Sequence, residues 1–368
     1  MRINAQSCRA PSLNQGCHSP DIIATLWRVS QQVPDINRSN QHSTRVSAER
    51  APRARYGVQT GDPVWMAFTR VGGRHLAALL APFLFPLSWP LATLCVASYL
   101  LRIWAMEAIY HRFFAHRTFA ANRGVQFLLA LIGTQCGQRG ALWWAATHRT
   151  HHRFADSAED PHTPATRGFA YAHAGWMTHA RHLATNLDRV PDYARYPELR
   201  WLNRYYWLPL YLAVPALYCA GAAGWFGAAI SGGAAVFWGG FVPTTLALHL
   251  TSCVNSLGHM PWFPGGYRRY DGLRDNSINR PLLALLTLGA GWHNNHHRFS
   301  SAARTGFAWY ELDVVYWSLV LGQMLGFWRQ VNGAIPEQVL REGGLTQLSR
   351  KLRSLRKFSA AAFGPAPK

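Results

Sequence analysis

The 368-residue sequence has few charged residues, and acidic ones are especially rare. Asp, Glu, Lys and Arg make up 15% of the chain, whereas soluble proteins average about 25%. The 37 basic residues outnumber the 17 acidic ones, for a formal net charge of +20. Lysine occurs only as Lys351, Lys357 and Lys368. This composition disfavours an ordinary soluble enzyme and favours an anionic partner, such as lipid headgroups, nucleotide phosphates or an acidic protein.

The sequence also lacks disulfide-type cysteine spacing and a secretory signal. Its six cysteines include no CxxC pair, which argues against iron–sulfur and zinc–thiolate sites and indicates reduced thiols. No apolar h-region follows Met1, so no secretory signal peptide is expected. Residues 1–62 are basic and polar and are expected to form a disordered tail, with an organelle transit peptide as the alternative. A second basic tail is expected at 336–368.

Two long segments contain no Asp, Glu, Lys or Arg. The first runs from Leu76 to Leu101, and the second covers the 63 residues from Tyr205 to Tyr267. A membrane-spanning helix needs about 20 apolar residues, so the second segment has room for a hairpin that turns at Ser231–Gly233. The first segment fits one long span or a short hairpin. We predict four transmembrane helices in two hairpins, near 75–110 and 205–256; buried helices of a soluble core are the alternative.

Arginines are concentrated in the N-terminal tail, between Arg112 and Arg204, and after Arg268, whereas the two predicted turns have none. By the positive-inside rule, the three basic regions share the cytoplasmic side of the membrane, which requires an even number of crossings. A helical cytoplasmic cap is therefore expected from residues 111–204 and 257–335. Two shorter apolar runs are predicted to be buried or interfacial helices: Pro281–Trp292 and Leu312–Trp328.

The 17 histidines are clustered in short motifs. The motifs HRFFAH, HRTHH and HNNHH are joined by the segment NSLGH. In a helix, residues at i, i+3 and i+4 share a face, so the three histidines of HRTHH can project together, as can those of HNNHH. Asn255 and His259 form another i, i+4 pair. His111 and His116 lie about 140° apart on an ideal helix, so they need a helix end or a distortion between them.

Together, the four motifs supply nine imidazoles and one carboxamide. That number is too large for one metal ion and suits two ions, each with four or five nitrogen ligands. Imidazole binds Fe, Zn, Cu and Ni alike, so the ligand type alone does not identify the metal. A single histidine is usually a core or surface residue, but two HxxHH motifs and one HxxxxH motif in one chain favour metal binding. All the motifs are predicted at the same membrane face.

These motifs resemble those of the membrane fatty acid desaturases of the acyl-CoA (delta-9) type, in particular bacterial members. HRFFAH, HRTHH, NSLGH, GWHNNHH and the flanking YPELRWLNRYYWLP carry the resemblance, which covers roughly residues 65–335. It implies a desaturase domain at 63–335, with four transmembrane helices under a cytoplasmic cap, in the bacterial inner membrane. It also implies a di-iron centre with nine histidine ligands and Asn255 reaching a metal through water. The implied histidines are His111, His116, His148, His151, His152, His259, His293, His296 and His297.

The resemblance implies a stearoyl-CoA 9-desaturase-like activity on acyl-CoA or acyl-lipid. Dioxygen and two external electrons would be used to insert a cis double bond into a long-chain acyl group. Removing hydrogen from an unactivated methylene requires a metal-based oxidant, which two irons can provide. The sequence contains no fused redox domain, so a separate donor of the ferredoxin or cytochrome b5 type, with its reductase, is expected. A basic face favours an acidic donor. No nucleic-acid partner is expected.

The family also suggests residues that position the substrate. A hydrogen-bonded Gln, Trp and Thr set a bend in the family's acyl tunnel, and Gln138, Trp144 and Thr251 match them; ordinary packing is the alternative. Four polar residues after HRTHH are expected either to orient the ligands or to form a solvated turn: Asp156, Glu159, Asp160 and His162.

Two positions depart from the family pattern. Gly289-Ala290-Gly291 stands where the family often has Gly-Glu-Gly, and Ala146 stands where animal acyl-CoA enzymes have a basic residue that contacts CoA. Arg139 is a candidate substitute for that basic residue. A di-iron hydroxylase is the alternative activity, since it shares the first hydrogen abstraction. A membrane metal carrier is disfavoured, because only His249 lies well inside a predicted span.

Overall fold

The computed structural model describes residues 55–333. The predicted C-terminal tail, 336–368, lies outside these residues, as does most of the predicted N-terminal tail. Residues 55–62, which the sequence assigned to that tail, are described and include the strand β1 (Val58–Gln59), paired antiparallel with β2 (Thr185–Asn186). The described residues therefore begin eight positions before the boundary that the sequence predicts at residue 63.

Helices account for most of the described chain. In order they are α1 (Val64–Leu84), α2 (Trp89–Trp104) continued by the π-helix Ala105–Ala115, α3 (Arg123–Gly133), α4 (Ala141–Phe154), α5 (Pro164–His173), α6 (Pro191–Ala194), α7 (Pro197–Arg204), α8 (Trp207–Ala222), α9 (Gly232–Val236) continued by the π-helix Phe237–Phe241 into α10 (Val242–Asn255), α11 (Pro281–Leu286), α12 (His293–Arg298) and α13 (Val314–Met324). Short 3₁₀ turns occur in several of the connections.

Two continuous helices are long and apolar enough to cross a membrane: Trp89–Ala115, with 27 residues, and Gly232–His259, with 28. Each follows a second helix, α1 or α8, in the place where the sequence predicted the other arm of a hairpin. The 16 residues of α8 span about 24 Å at 1.5 Å per residue, which is less than the hydrocarbon core of about 30 Å. Four crossings therefore stay a prediction.

Small residues allow the apolar helices to pack closely. A Cβ added to Gly221 of α8 would lie 2.8 Å from Ala235 of α9, and one added to Gly239 would lie 3.2 Å from Leu94 of α2. The buried residues Ala81 and Trp238 belong to the same apolar cluster. Large apolar side chains point outward elsewhere, as membrane-facing helices require.

The shorter helices α11 and α13 each bury one side and expose an apolar side. On α11, Leu283 is buried whereas Leu282 is 69% exposed. On α13, Leu319 is buried whereas Met324 is 77% exposed. Both helices lie within the apolar runs that the sequence predicted to be buried or interfacial, and their exposed apolar sides suit an interface.

A buried ion pair joins the first π-helix to the segment before α13. Arg112 donates to Asp313 over 2.7 Å and to the Ala303 carbonyl over 2.6 Å, and both side chains are almost fully buried. Asp313 also accepts from the Thr305 backbone nitrogen, at 2.7 Å. These bonds hold the π-helix, which carries HRFFAH, against the C-terminal part of the described chain.

Candidate metal centre

The nine predicted histidines come together from four separate parts of the chain. They lie on the first π-helix and its C-terminal residue, on α4, in the turn after α10, and on α12. Their nitrogen atoms form two groups, within each of which all ligand atoms lie within 4.8 Å of one another. The first group contains His111, His116, His148, His152 and His296, and the second contains His151, His259, His293 and His297.

The first π-helix brings the two histidines of HRFFAH, His111 and His116, onto the same side of the helix. The backbone nitrogen of His116 donates to the carbonyl of His111 over 3.1 Å, an i→i+5 bond that widens the helical turn. The two rings consequently lie on the same side, with centroids 4.9 Å apart. This is the distortion that a five-residue separation requires.

In the first group, neighbouring Nε2 atoms lie at nearly equal distances. They are 2.8 Å apart for His116 and His148, 3.0 Å for His148 and His152, 2.9 Å for His152 and His296, and 3.0 Å for His296 and His111. Ligands at right angles around one ion, with metal–nitrogen bonds of about 2.0–2.1 Å, lie about 2.9 Å apart. The five nitrogens therefore have the spacing of adjacent ligands of one ion.

The second group has four nitrogens with a looser spacing. The Nε2 atoms of His259 and His293 are 2.9 Å apart, and those of His151 and His297 are 3.4 Å apart. All four side chains are buried. The second group thus offers four nitrogen ligands, against five in the first.

Four carboxylates bind the other ring nitrogen of histidines in these groups. Glu107 accepts from His111 Nδ1 at 2.8 Å, and Asp160 from His151 Nδ1 at 3.0 Å. The remaining two bonds join His259 Nδ1 to Asp156 at 2.9 Å and His297 Nδ1 to Asp275 at 3.0 Å. A hydrogen bond of this kind places the proton on Nδ1 and leaves a lone pair on Nε2, the arrangement typical of metal-binding histidines.

The pair His151 and His297 provides the sharpest test of whether a cation fits. Both rings donate Nδ1–H to carboxylates, so in their neutral forms both Nε2 atoms carry lone pairs. In that neutral state the two lone pairs face each other across 3.4 Å. A positive ion bound to both atoms turns this repulsion into two favourable bonds, so the residues present fit a metal.

Burial favours the neutral rings that metal binding needs. It lowers the pKa of His148 and His152 well below the ordinary value, and neighbouring histidines lower them further. The same causes lower the pKa of His293 and His296. For His151, burial also disfavours charge, but the Asp160 carboxylate outweighs it and raises the pKa.

The polar residues after HRTHH divide into two kinds. Asp156 and Asp160 face the histidines, as one of the two predicted alternatives requires. His162 is buried with its ring centroid 4.4 Å from that of His151, and burial lowers its pKa to about 3. Glu159 is exposed and accepts from the Ser157 hydroxyl at 2.9 Å, so it belongs to the solvated turn.

Sequence reasoning missed Glu107 and Asp275. Glu107 is the only acidic residue between Asp62 and Asp156, and it precedes His111 by four residues. An isolated acid inside an apolar helix, at i, i+4 to a candidate ligand, was therefore a usable signal. Asp275 is 22 residues from His297 along the chain and had no such signal.

Asn255 is the last residue of α10, four residues before His259. Its side chain makes no hydrogen bond to the residues that the structure describes. Its assignment as a water-mediated ligand stays a prediction.

Of the three predicted substrate residues, Trp144 lies beside the first group, and Gln138 and Thr251 contact each other. Gln138 donates to the Thr251 hydroxyl over 3.0 Å, and both residues are buried. The Trp144 ring stacks on His148, with centroids 4.6 Å apart, and meets His111 edge-on at 5.9 Å. Gln138 and Thr251 are thus hydrogen-bonded, whereas Trp144 contacts two candidate ligands.

A cavity of about 340 Å³ lies next to Gln138. Its walls come from α1, α8, the second π-helix with α10, and the loop before α4. Arg139, the proposed substitute for a basic residue at position 146, lines it.

Ala146 is buried in the core, and Ala290 packs with Val254 and Leu283. Ala290 stands where the family often has a glutamate, so the carboxylates that contact the histidines in this chain come from other positions: Glu107, Asp156, Asp160 and Asp275.

Comparison of the sequence with known proteins finds a matching family and several similar proteins. The model of the fatty acid desaturase family matches residues 87–325. The chain is 34% identical to an sn-2 palmitoyl-lipid 9-desaturase of Nostoc sp. (strain 36), over 74% of this chain and 92% of that protein. It is 33% identical to an sn-1 stearoyl-lipid 9-desaturase of Anabaena variabilis, over 72% and 93%. It is 31% identical to an acyl-CoA C20 Delta5-desaturase of Anemone leveillei, over 73% and 81%.

The matched residues include both candidate membrane helices and every histidine of the two nitrogen groups. The two helices and the family together indicate a membrane protein. The chain belongs to the fatty acid desaturase family, whose members are oxidoreductases that introduce double bonds into fatty acyl chains.

Proposed function

We propose that this protein holds two iron ions with nine histidines and inserts a cis double bond into a long-chain acyl group, at position 9. Two of the three relatives described above are named as 9-desaturases. The observation that carries the proposal is the pair of nitrogen groups, with four of the nine histidines bonded through Nδ1 to carboxylates. Bound there, two redox-active irons would supply the power to reduce dioxygen and to take hydrogen from unactivated methylenes.

The overall reaction balances with two electrons from outside. One dioxygen, two electrons, two protons and two hydrogens from adjacent methylenes give two waters and one double bond. The protein's own contribution is to exclude water and to hold the acyl chain still. The rings of His111, His148 and His296 are each less than a tenth exposed, which would shield reacting carbons beside them from bulk water.

Gln138, Thr251 and Trp144 are proposed to fix the bend of the bound chain. Their support is the buried hydrogen bond between Gln138 and Thr251 and the contact of Trp144 with His148. A flexible acyl chain held in one bent conformer presents the same two carbons each time, which lowers the entropic part of the barrier.

We propose four membrane crossings, with α1 and α8 as the additional arms, and a cap on the cytoplasmic face of a bacterial inner membrane. The support is the distribution of arginine, which avoids both turns and crowds the three remaining regions. A cytoplasmic cap would let a separate donor of the ferredoxin or cytochrome b5 type deliver electrons. The acyl carrier is a lipid or coenzyme A.

The function is tested by expression in a host that lacks its own desaturase, together with a suitable reductase chain. Gas chromatography of total fatty acids should show a new monounsaturated species, without added oxygen. An alcohol in its place would identify the alternative, a hydroxylase. An unchanged profile from membrane-inserted, iron-loaded protein would contradict both activities.

The assignment of ligands is tested by His296→Ala. His296 Nε2 lies between His111 Nε2 at 3.0 Å and His152 Nε2 at 2.9 Å, so its loss should remove a central ligand of the first group. We expect no new double bond and less bound iron. The control is His179→Ala, an exposed histidine outside both groups, which should keep activity and iron. Full activity in His296→Ala would refute its role.

A further inference from the structure

The cavity beside Gln138 is lined by an unusual number of arginines. Four guanidinium-bearing side chains contribute to its wall, although most of the remaining lining is apolar. They come from α1, α2 and the loop before α4: Arg70, Arg74, Arg102 and Arg139.

Within the described residues, only one of these arginines has a carboxylate partner. Arg70 pairs with Asp62 at 2.6 Å. Arg74 donates to the Gly137 carbonyl over 3.0 Å, and its buried Nε has no hydrogen-bond partner in the part of the chain that the structure describes. Arg102, which is 5% exposed, donates to the neutral hydroxyl of Thr244 over 2.7 Å.

Arg139 is the least firmly held of the four. Its nearest acceptors are the carbonyls of Leu183 and Met177, at 3.5 and 3.4 Å, and it stacks on Trp143 with its guanidinium 5.0 Å from the ring centre. Its backbone has a φ of 65°, in the left-handed region. Arg139, in the loop before α4, therefore has an unfavourable backbone conformation at the position where its side chain lines the cavity.

A buried guanidinium without a counter-charge is costly, and arginine cannot escape the cost by losing its proton. Around one space, Arg102 is buried and Arg74 and Arg139 are partly buried, and the structure shows no carboxylate beside any of the three within the described residues. An anion that enters the cavity would offset the cost, since it would accept charge-assisted hydrogen bonds in place of water. The arrangement therefore indicates a binding site for an anionic group.

The same cavity also has an apolar wall. Leu210, Val214 and Leu217 of α8 line it, together with Phe241 at the end of the second π-helix. A ligand that satisfies both walls has an apolar chain and an anionic group. Gln138 lines the cavity and also donates to Thr251, which lies on α10, eight residues before the candidate ligand His259.

We propose that this cavity binds the phosphate of the acyl carrier, with Arg74 and Arg139 as its principal ligands. This inference rests on the proposed function and narrows its substrate to acyl groups on phosphate-bearing carriers. The forked guanidinium geometry matches phosphate oxygens. A glycerophospholipid and a coenzyme A thioester both supply that chemistry, whereas an uncharged acyl lipid does not.

Binding to the purified full-length protein in detergent tests the proposal, with two matched pairs of probes. The first pair is stearoyl phosphatidylglycerol and the diacylglycerol with the same chains. The second is stearoyl-CoA and S-stearoyl pantetheine, which lacks the phosphates. Quenching of tryptophan fluorescence can report binding, since Trp143 and Trp207 line the cavity. In at least one pair, the phosphate-bearing member should bind about tenfold more tightly or better, and that pair identifies the carrier.

Arg74→Gln and Arg139→Gln should each remove most of that preference while leaving the binding of the uncharged probes unchanged. Arg167→Gln is the matched control, because Arg167 is exposed on α5 and does not line the cavity. If Arg74→Gln does not fold, the loop variant Arg139→Gln still tests the site. Equal binding within both pairs, or an undiminished preference in the folded variants, would overturn the proposal.

The metal-site variant His296→Ala separates this proposal from the proposed function. It should bind the phosphate-bearing probe as the parent protein does, although it makes no product. If the parent protein makes no double bond yet prefers phosphate-bearing probes, the desaturase assignment fails and the anion site stands. If it desaturates without that preference, the anion site fails alone.

Discussion

Glu107→Gln tests whether a single carboxylate governs the binding of one of the two proposed metal ions. The glutamate is 4% exposed, and its side chain makes a 2.8 Å hydrogen bond to His111 Nδ1. Gln has the same shape but no charge, and its amide can either accept from or donate to Nδ1. The substitution therefore removes the preference for the ring form that leaves the Nε2 lone pair free, without leaving a cavity.

The size of the effect follows from the hydrogen bond that changes. A bond to a charged acceptor contributes about 1.5–3 kcal/mol and a neutral one about 0.5–1.5 kcal/mol. The difference, about 1–1.5 kcal/mol, corresponds to about a tenfold loss of affinity. Loss of an outer partner of a metal-bound histidine costs about 10- to 100-fold. We expect the affinity of one iron to fall within this range and the other to stay unchanged.

The assay is titration of metal-free Glu107→Gln protein with Fe²⁺ against a competing chelator, alongside fatty acid analysis. Two classes of iron should appear, one tight and one weakened, with less double-bond product at limiting iron. Glu198→Gln is the control: it makes the same chemical change in a carboxylate that pairs with Arg123 near the surface. Unchanged affinity for both irons in Glu107→Gln would refute this reasoning.

Three further substitutions test separate parts of the molecule. Gln138→Leu removes the buried bond to Thr251, so the double bond should form at more than one position at unchanged iron content; mass spectrometry of the derivatised fatty acids checks this. Asp313→Asn removes the charge that balances buried Arg112 and should cost about 3–5 kcal/mol of stability, read as a lower midpoint of thermal unfolding in detergent. Gly291→Ala places a Cβ 2.1 Å from a backbone nitrogen of α11; it should displace α12 and reduce bound iron, measured by elemental analysis.

The pattern of charge along the sequence located the apolar helices but not all of their ends. The hairpin predicted near 75–110 begins earlier in the structure, because α1 starts at Val64 and includes Arg70 and Arg74. A search for charge-free segments stops at such residues. Arg70 and Arg74 line a cavity, and they bind the Asp62 carboxylate and the Gly137 carbonyl, respectively. These interactions involve other parts of the fold and cannot be recognised from the sequence around the two arginines.

Motif spacing predicted which histidines share a helix face, but not how they divide between ions. HRTHH supplies His148 and His152 to the first group and His151 to the second. HNNHH divides in the opposite sense: its middle histidine, His296, is in the first group, and its outer two, His293 and His297, are in the second. The histidine-bearing faces of α4 and α12 each contribute to both groups. Helical periodicity alone therefore could not predict which histidines share a group, because the grouping depends on how α4 and α12 pack.

The two groups also differ in the charge around them. The five-nitrogen group contacts one carboxylate, Glu107, whereas the four-nitrogen group contacts three: Asp156, Asp160 and Asp275. Carboxylates on the far side of an imidazole raise its basicity and stabilise the cation that it binds. An ion in the four-nitrogen group would gain from more negative charge but lack one imidazole. The two groups would therefore stabilise bound cations by different means. Glu107 is the one carboxylate that contacts the first group within the described residues, so we expect metal binding there to depend most on it.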